Sequence, residues 1–105
     1  MTRIETVDLS SILLKEISYG ETKLRFKQPL RLTPTIDEES SQLFVAENSQ
    51  INLDVFAYTR DDLIHEINEQ IIMMWDEYVK AELEELAEDA QELRTILLET
   101  LEEIN

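Results

Sequence analysis

Between residues 23 and 32 apolar and polar positions alternate with period two. Leu24, Phe26, Leu30 and Leu32 share one face, and Lys23, Arg25, Lys27 and Arg31 share the other. This pattern predicts a strand with a basic face. Pro29 lacks an amide donor, which points to an edge position or a bulge, and Thr33-Pro34 bends the chain away. The polar stretch Asp37–Ser41 reads as a loop. Two further runs, Gln42–Ala46 and Ile51–Tyr58, flank the turn-like Glu47-Asn48-Ser49-Gln50. In the second run Ile51, Leu53, Val55 and Ala57 alternate with Asn52, Asp54 and Phe56, so two more antiparallel strands are expected. Nearer the N-terminus, Leu9, Ile12, Leu13 and Ile17 recur at helical spacing. With Asp8 or Ser10 as N-cap and Gly20 as the stop they predict a short helix, with a strand as the alternative.

From Thr59 onward the period changes to that of a helix. Thr59 supplies a capping hydroxyl, and Asp61 and Asp62 stand in the first turn, where the helix dipole favours anions. Ile64, Ile67, Ile71, Met74 and Tyr78 step by 3, 4, 3 and 4 residues and are widened by Leu63, Ile72, Met73, Trp75 and Val79. Such a stripe needs a sheet or a partner to cover it. Leu83, Leu86, Ala90, Leu93, Leu97, Thr100 and Ile104 then form a heptad series in a different register. The phase break over 79–85 predicts a bend, because one straight helix over 60–105 would be about 69 Å long at about 1.5 Å per residue. The expected fold class is α+β: a small three-stranded antiparallel sheet packed by a long helix, followed by a second acidic amphipathic helix. Residues 1–79 are expected to form the α+β domain, and residues 80–105 an acidic C-terminal helix that serves as extension or interaction segment.

Charge separates the two halves. Residues 1–60 hold 9 acids and 7 bases, whereas 61–105 hold 15 acids and 2 bases, Lys80 and Arg94, within a net charge of −15. A hydrophobic fraction of 43% is too high for a disordered chain, so this charge is expected on a folded surface. With no Cys and a single His, the chain has neither thiol chemistry nor the usual zinc ligand sets. No apolar run approaches the roughly 20 residues of a membrane span, and the N-terminus lacks the layout of a signal peptide. A cytoplasmic, soluble protein is expected, without cofactor or metal and without enzymatic activity.

The remaining constellations read mostly as surface or core. Asp61, His65 and Glu69 share a helix face at spacings suited to a cation or a proton, yet ligands from other elements are normally needed, so a solvated face is expected. Glu82, Glu84, Glu85, Glu88, Asp89 and Glu92 form a dense acidic patch without His or Lys beside it, which reads as surface charge. The C-terminal half is therefore a poor ligand for nucleic acid, and its field attracts basic proteins. A partner surface is expected from Met74, Trp75, Tyr78, Glu82, Glu85, Leu86, Asp89, Leu93 and Leu97. For the cluster Met73, Met74, Trp75 and Tyr78, packing against the sheet is the competing reading.

Leu43-Phe44-Val45-Ala46-Glu47, Leu53-Asp54-Val55-Phe56-Ala57-Tyr58-Thr59 and the helix opening Arg60-Asp61-Asp62-Leu63-Ile64-His65-Glu66-Ile67 together resemble the HicB-like antitoxin family over about residues 23–79. The resemblance implies a short antiparallel sheet running into a Thr-capped helix. It also implies a cytoplasmic, usually dimeric antitoxin that blocks a small basic ribonuclease toxin. The expected function is thus a non-catalytic acidic module that neutralises a basic protein partner, with homodimerisation through the helices or a sheet edge. An acidic DNA-mimic inhibitor of a nucleic-acid-binding protein is one alternative. A structural subunit assembling through its C-terminal helix is the other.

Overall fold

A computed structural model of the protein describes residues 9–39 and 43–104. Strands β1 (Ile12–Tyr19) and β2 (Thr22–Leu32) form a hairpin closed by Gly20-Glu21. Gly20 takes φ 63°, which the first central residue of a tight hairpin requires and which a side chain would strain. Gly20 is therefore a hairpin turn and not a helix stop. The short helix expected over Leu9–Ile17 is replaced by β1, with Ile12, Leu14 and Ile17 buried, while Leu9 and Leu13, which a helical stripe would bury, are exposed. The alternative cap Asp8 lies outside the described residues.

The inward positions of that segment are set by an irregular ladder. Leu14 pairs with Leu30 and Glu16 with Arg25, so β1 advances two residues while β2 advances five. The extra residues on β2 include Pro29, whose missing N–H is harmless where the ladder is already broken. Lys15 and Glu16 both face solvent, and Ile17 returns to the core. The inward positions 12, 14 and 17 thus depart from a strict period of two.

The α+β class is as expected, and the strands among the described residues divide between two three-stranded antiparallel sheets. One has the order β1-β2-β6, with β6 at Leu101–Glu103, and the other β3-β4-β5, made of β3 (Thr35–Ile36), β4 (Phe44–Asn48) and β5 (Leu53–Ala57). The loop after β3 is closed by the Asp37 amide donating to the Leu43 carbonyl at 2.9 Å. Ser40, Ser41 and Gln42 lie outside the described residues. Between β4 and β5 a short 3-10 turn over Ser49–Ile51 is held by the Asn48 side chain, which accepts from the Ile51 amide, and Asn52 leaves it at φ 57°. Asn tolerates this left-handed conformation better than most residues. The turn lies later than the composition suggests because Ile51 is buried in it.

Helix α1 (Arg60–Met74) begins where expected: the Thr59 hydroxyl accepts from the Asp62 amide at 3.0 Å. It buries Leu63, Ile67, Ile71, Ile72 and Met74 and packs on β1, β4 and β5. A single π-helical turn, Trp75–Val79, ends it, with the Lys80 amide donating to the Trp75 carbonyl at 3.3 Å. The wider turn re-aims the backbone, and after a 3-10 turn at Leu83–Glu85 the chain enters α2 (Glu88–Thr100). The bend expected over 79–85 is this pair of turns.

The second helix stops before the heptad series does. Leu101–Glu103 form β6, which pairs with β2 through Leu24–Glu103, Arg25–Glu102 and Phe26–Leu101, and the Ile104 amide donates to the Lys23 carbonyl at 2.9 Å. An extended Leu101 buries its side chain and gives the β2 edge a hydrogen-bonding neighbour. Residues of both sheets and both helices share one buried cluster, with Leu24, Leu63, Ile67, Ile71 and Leu97 fully enclosed. Burial of each such side chain stabilises by about 1.5–3 kcal/mol.

Candidate protein-binding surface

The apolar residues expected at a partner surface divide by depth. Met74 (3% exposed), Trp75 (4%) and Leu97 (0%) lie inside the core and present no surface to a partner. Their neighbours explain why. Trp75 sits where the π-helical turn meets β6, and its indole N–H donates to Glu103 Oε1 at 3.1 Å, so a buried ring finds a partner for its polar atom. Leu97 faces inward from α2, which packs on β2 and β6. Tyr78 and Leu93 are half-buried and, with Asp89, line a shallow cleft of about 350 Å³ between α2 and the turn after β4. Leu86 is half-buried, and its carbonyl accepts from the Gln91 side chain at 2.9 Å.

Glu82, Glu85 and Asp89 are exposed, together with Glu84, Glu88 and Glu92. Six carboxylates thus follow one another along the 3-10 turn and the opening of α2. Glu88 and Asp89 occupy the first turn of α2, whose positive dipole end accommodates them. Among the described residues no ion pair reaches this row. Lys80, one of the two bases of the C-terminal half, turns instead to Asp76 at 3.3 Å and Glu103 at 3.7 Å. The hydrogen bond it donates to Asp76 is the main cause of its pKa lying above the ordinary 10.5.

Two cations of the basic strand face are engaged by the chain itself. Arg25 Nε donates to Glu102 Oε1 on β6 at 2.8 Å. Lys27 Nζ donates to the Leu98 carbonyl in the last turn of α2 at 2.8 Å. That turn has no basic residue of its own, so Lys27 supplies the positive charge that a helix C-terminus favours. The tail's return to β2 therefore joins the two halves electrostatically as well as through main-chain pairing.

His65 is exposed and lies against Tyr19, with ring centroids 5.9 Å apart and planes tilted by 58°. Among the described residues no group of three His, Cys, Asp or Glu side chains is arranged to hold a metal ion, the set Asp61, His65 and Glu69 included. No helix among them is long and apolar enough to cross a membrane.

Alternation along β5 directs Leu53, Val55 and Ala57 inward and Asp54 and Phe56 outward, leaving Phe56 65% exposed and the following Tyr58 69% exposed. These two aromatics are absent from the residues expected at a partner surface. The signal for Phe56 is nevertheless present in the sequence, as an aromatic ring among the polar members of a period-two run. No family model, curated protein or solved structure matches this chain.

Proposed function

We propose that this chain is a non-catalytic acidic binding module of the cytoplasm that neutralises a small basic protein, in the manner of an antitoxin acting on a ribonuclease toxin. The observation that carries this reading is the row of exposed carboxylates from Glu82 to Glu92, within a chain of net charge −15. Arg25 and Lys27 are held against the chain's own C-terminal segment, so they do little to offset that row. A field of one sign over a surface of this size speeds encounter with a cationic protein and disfavours polyanions. The HicB-like resemblance quoted above supports the choice of a ribonuclease toxin as partner.

Assembly through the C-terminal helix has less support, because α2 turns Leu97 and part of Leu93 into its own core. The test is capture of partners by the tagged chain from its native cytoplasm, with washes of rising salt. A small basic ribonuclease released by salt, and inhibited when the chain is added back, is the expected result. A captured DNA-binding protein that the chain displaces from DNA would replace this reading with that of a DNA mimic. Recovery of the chain alone would overturn it.

A further inference from the structure

Phe56 and Tyr58 are the two most exposed large apolar side chains among the described residues. They stand at and just beyond the end of β5, which among the described residues is an edge strand paired with β4. With Leu43, Ala57, Asp62, His65 and Glu66 they line a cleft of about 220 Å³ where the end of β5 meets the first two turns of α1. Its lining combines two aromatic residues with two carboxylates and the imidazole of His65.

That combination matches one kind of side chain. Aromatic faces attract a cation through the ring quadrupole, and a planar guanidinium stacks on them while its fork of N–H groups reaches carboxylates. An ammonium offers the same charge without the plane, so arginine fits better than lysine. A second copy of this chain is a poor occupant, since each copy carries −15 and would bring further carboxylates toward Asp62 and Glu66.

We propose that this cleft seats an arginine side chain of the basic partner. The inference rests on the neutraliser reading for the partner's charge. It assigns the specific contact to the junction of β5 and α1, and leaves to the carboxylate row of residues 82–92 the long-range attraction.

The probe is a fluorescein-labelled decapeptide of alternating Arg and Ser, with a second peptide carrying neutral citrulline in place of each Arg. Binding is followed by anisotropy at about 0.15 M salt, where distant charges are largely screened. The wild-type chain is expected to bind the arginine peptide and not the citrulline one. The Phe56→Thr, Tyr58→Thr pair is expected to weaken binding by about tenfold. The Asp62→Asn, Glu66→Gln pair should do the same and guards against a folding defect in the first. Neutralising Glu84, Glu85, Glu88 and Glu92 to Gln removes part of the long-range attraction and should weaken binding by less than either cleft pair, because charges outside the cleft are largely screened at this salt.

Failure of wild type to prefer the arginine peptide overturns the proposal. So does an affinity that survives both cleft pairs and falls with the Gln variant. A wild-type dimer in sedimentation that the Phe56→Thr, Tyr58→Thr pair dissociates would make a second copy the occupant and also overturn it. In the capture experiment, a basic protein retained equally by wild type and that pair overturns the cleft and leaves the neutraliser reading standing. Capture of no basic protein overturns the neutraliser reading, while the peptide still decides the cleft.

Discussion

Thr59 holds the first turn of α1 with a single hydrogen bond to the Asp62 amide, one of the four amides that a helix start leaves without intrahelical partners. Replacing Thr59 with Ala is expected to lower stability by about 1 kcal/mol in urea unfolding, and Thr59→Ser should restore most of it. Leu97 shows the other kind of residue effect. At 0% exposure its truncation leaves a cavity that the surrounding strands cannot fully close. Leu97→Ala should lower stability by about 3 kcal/mol. At protein concentrations and temperatures where the variant stays folded, its affinity for a partner should be unchanged, since the side chain touches none. A loss of affinity in fully folded Leu97→Ala would return this residue to the interface. Thr59 was legible because its cap is closed within four consecutive residues, Thr59 to Asp62. The depth of Leu97 was not, because a heptad stripe covered by its own sheet and one covered by a partner have the same spacing.

At the level of elements, the junction of the π-helical turn with β6 ties the end of the chain to its middle. Trp75 and Lys80 both reach Glu103, and Lys80 also reaches Asp76. Lys80 has its pKa raised first by the hydrogen bond with Asp76 and then by the charges of Asp76 and Glu103, with desolvation opposing. A pKa raised on folding means stability that is fully present below the unfolded value and lost as pH rises through the folded one. The difference in urea midpoint between wild type and Lys80→Met should therefore hold steady through neutral pH and shrink once pH passes the ordinary value of 10.5. A difference that is flat across that range would mean that the ion pairs add nothing. Strand β6 is the larger support: it pairs with β2 and buries Leu101. Removing residues 101–105 should expose the β2 edge and turn a single sharp thermal transition into a broad, low one. A shortened chain that unfolds as sharply as the full one would show β6 to be dispensable.

For the whole molecule the dominant fact is the net charge of −15, concentrated after residue 60. Self-repulsion of this size destabilises the compact state, and salt screens it over about 8–10 Å at physiological ionic strength. Thermal unfolding measured by calorimetry should therefore move to higher temperature between about 0.01 and 0.15 M sodium chloride. Partner capture should weaken over the same range. A fall in melting temperature would mean that Arg25–Glu102 and the Lys80 pairs outweigh the repulsion. The two responses have opposite signs because screening relieves like charges within the chain and weakens unlike charges between molecules.

What residue order alone settles here is local. The period-two run of β2, the Thr59 cap, the apolar stripe of α1 and the bend after Val79 each depend on neighbours within a few residues, so composition and spacing reveal them. The division of strands into two sheets, the recruitment of Leu101–Glu103 as a third strand beside β2, and the strand at Ile12–Tyr19 where the spacing suggests a helix are decided by contacts between distant residues. In β1 the irregular ladder opposite Pro29 sets which side chains turn inward, and that register exists only once β2 is in place. The same holds for function. The acidic surface can be counted from the sequence, whereas the meeting of Phe56 and Tyr58 with Asp62 and Glu66 arises only when β5 is laid beside the start of α1.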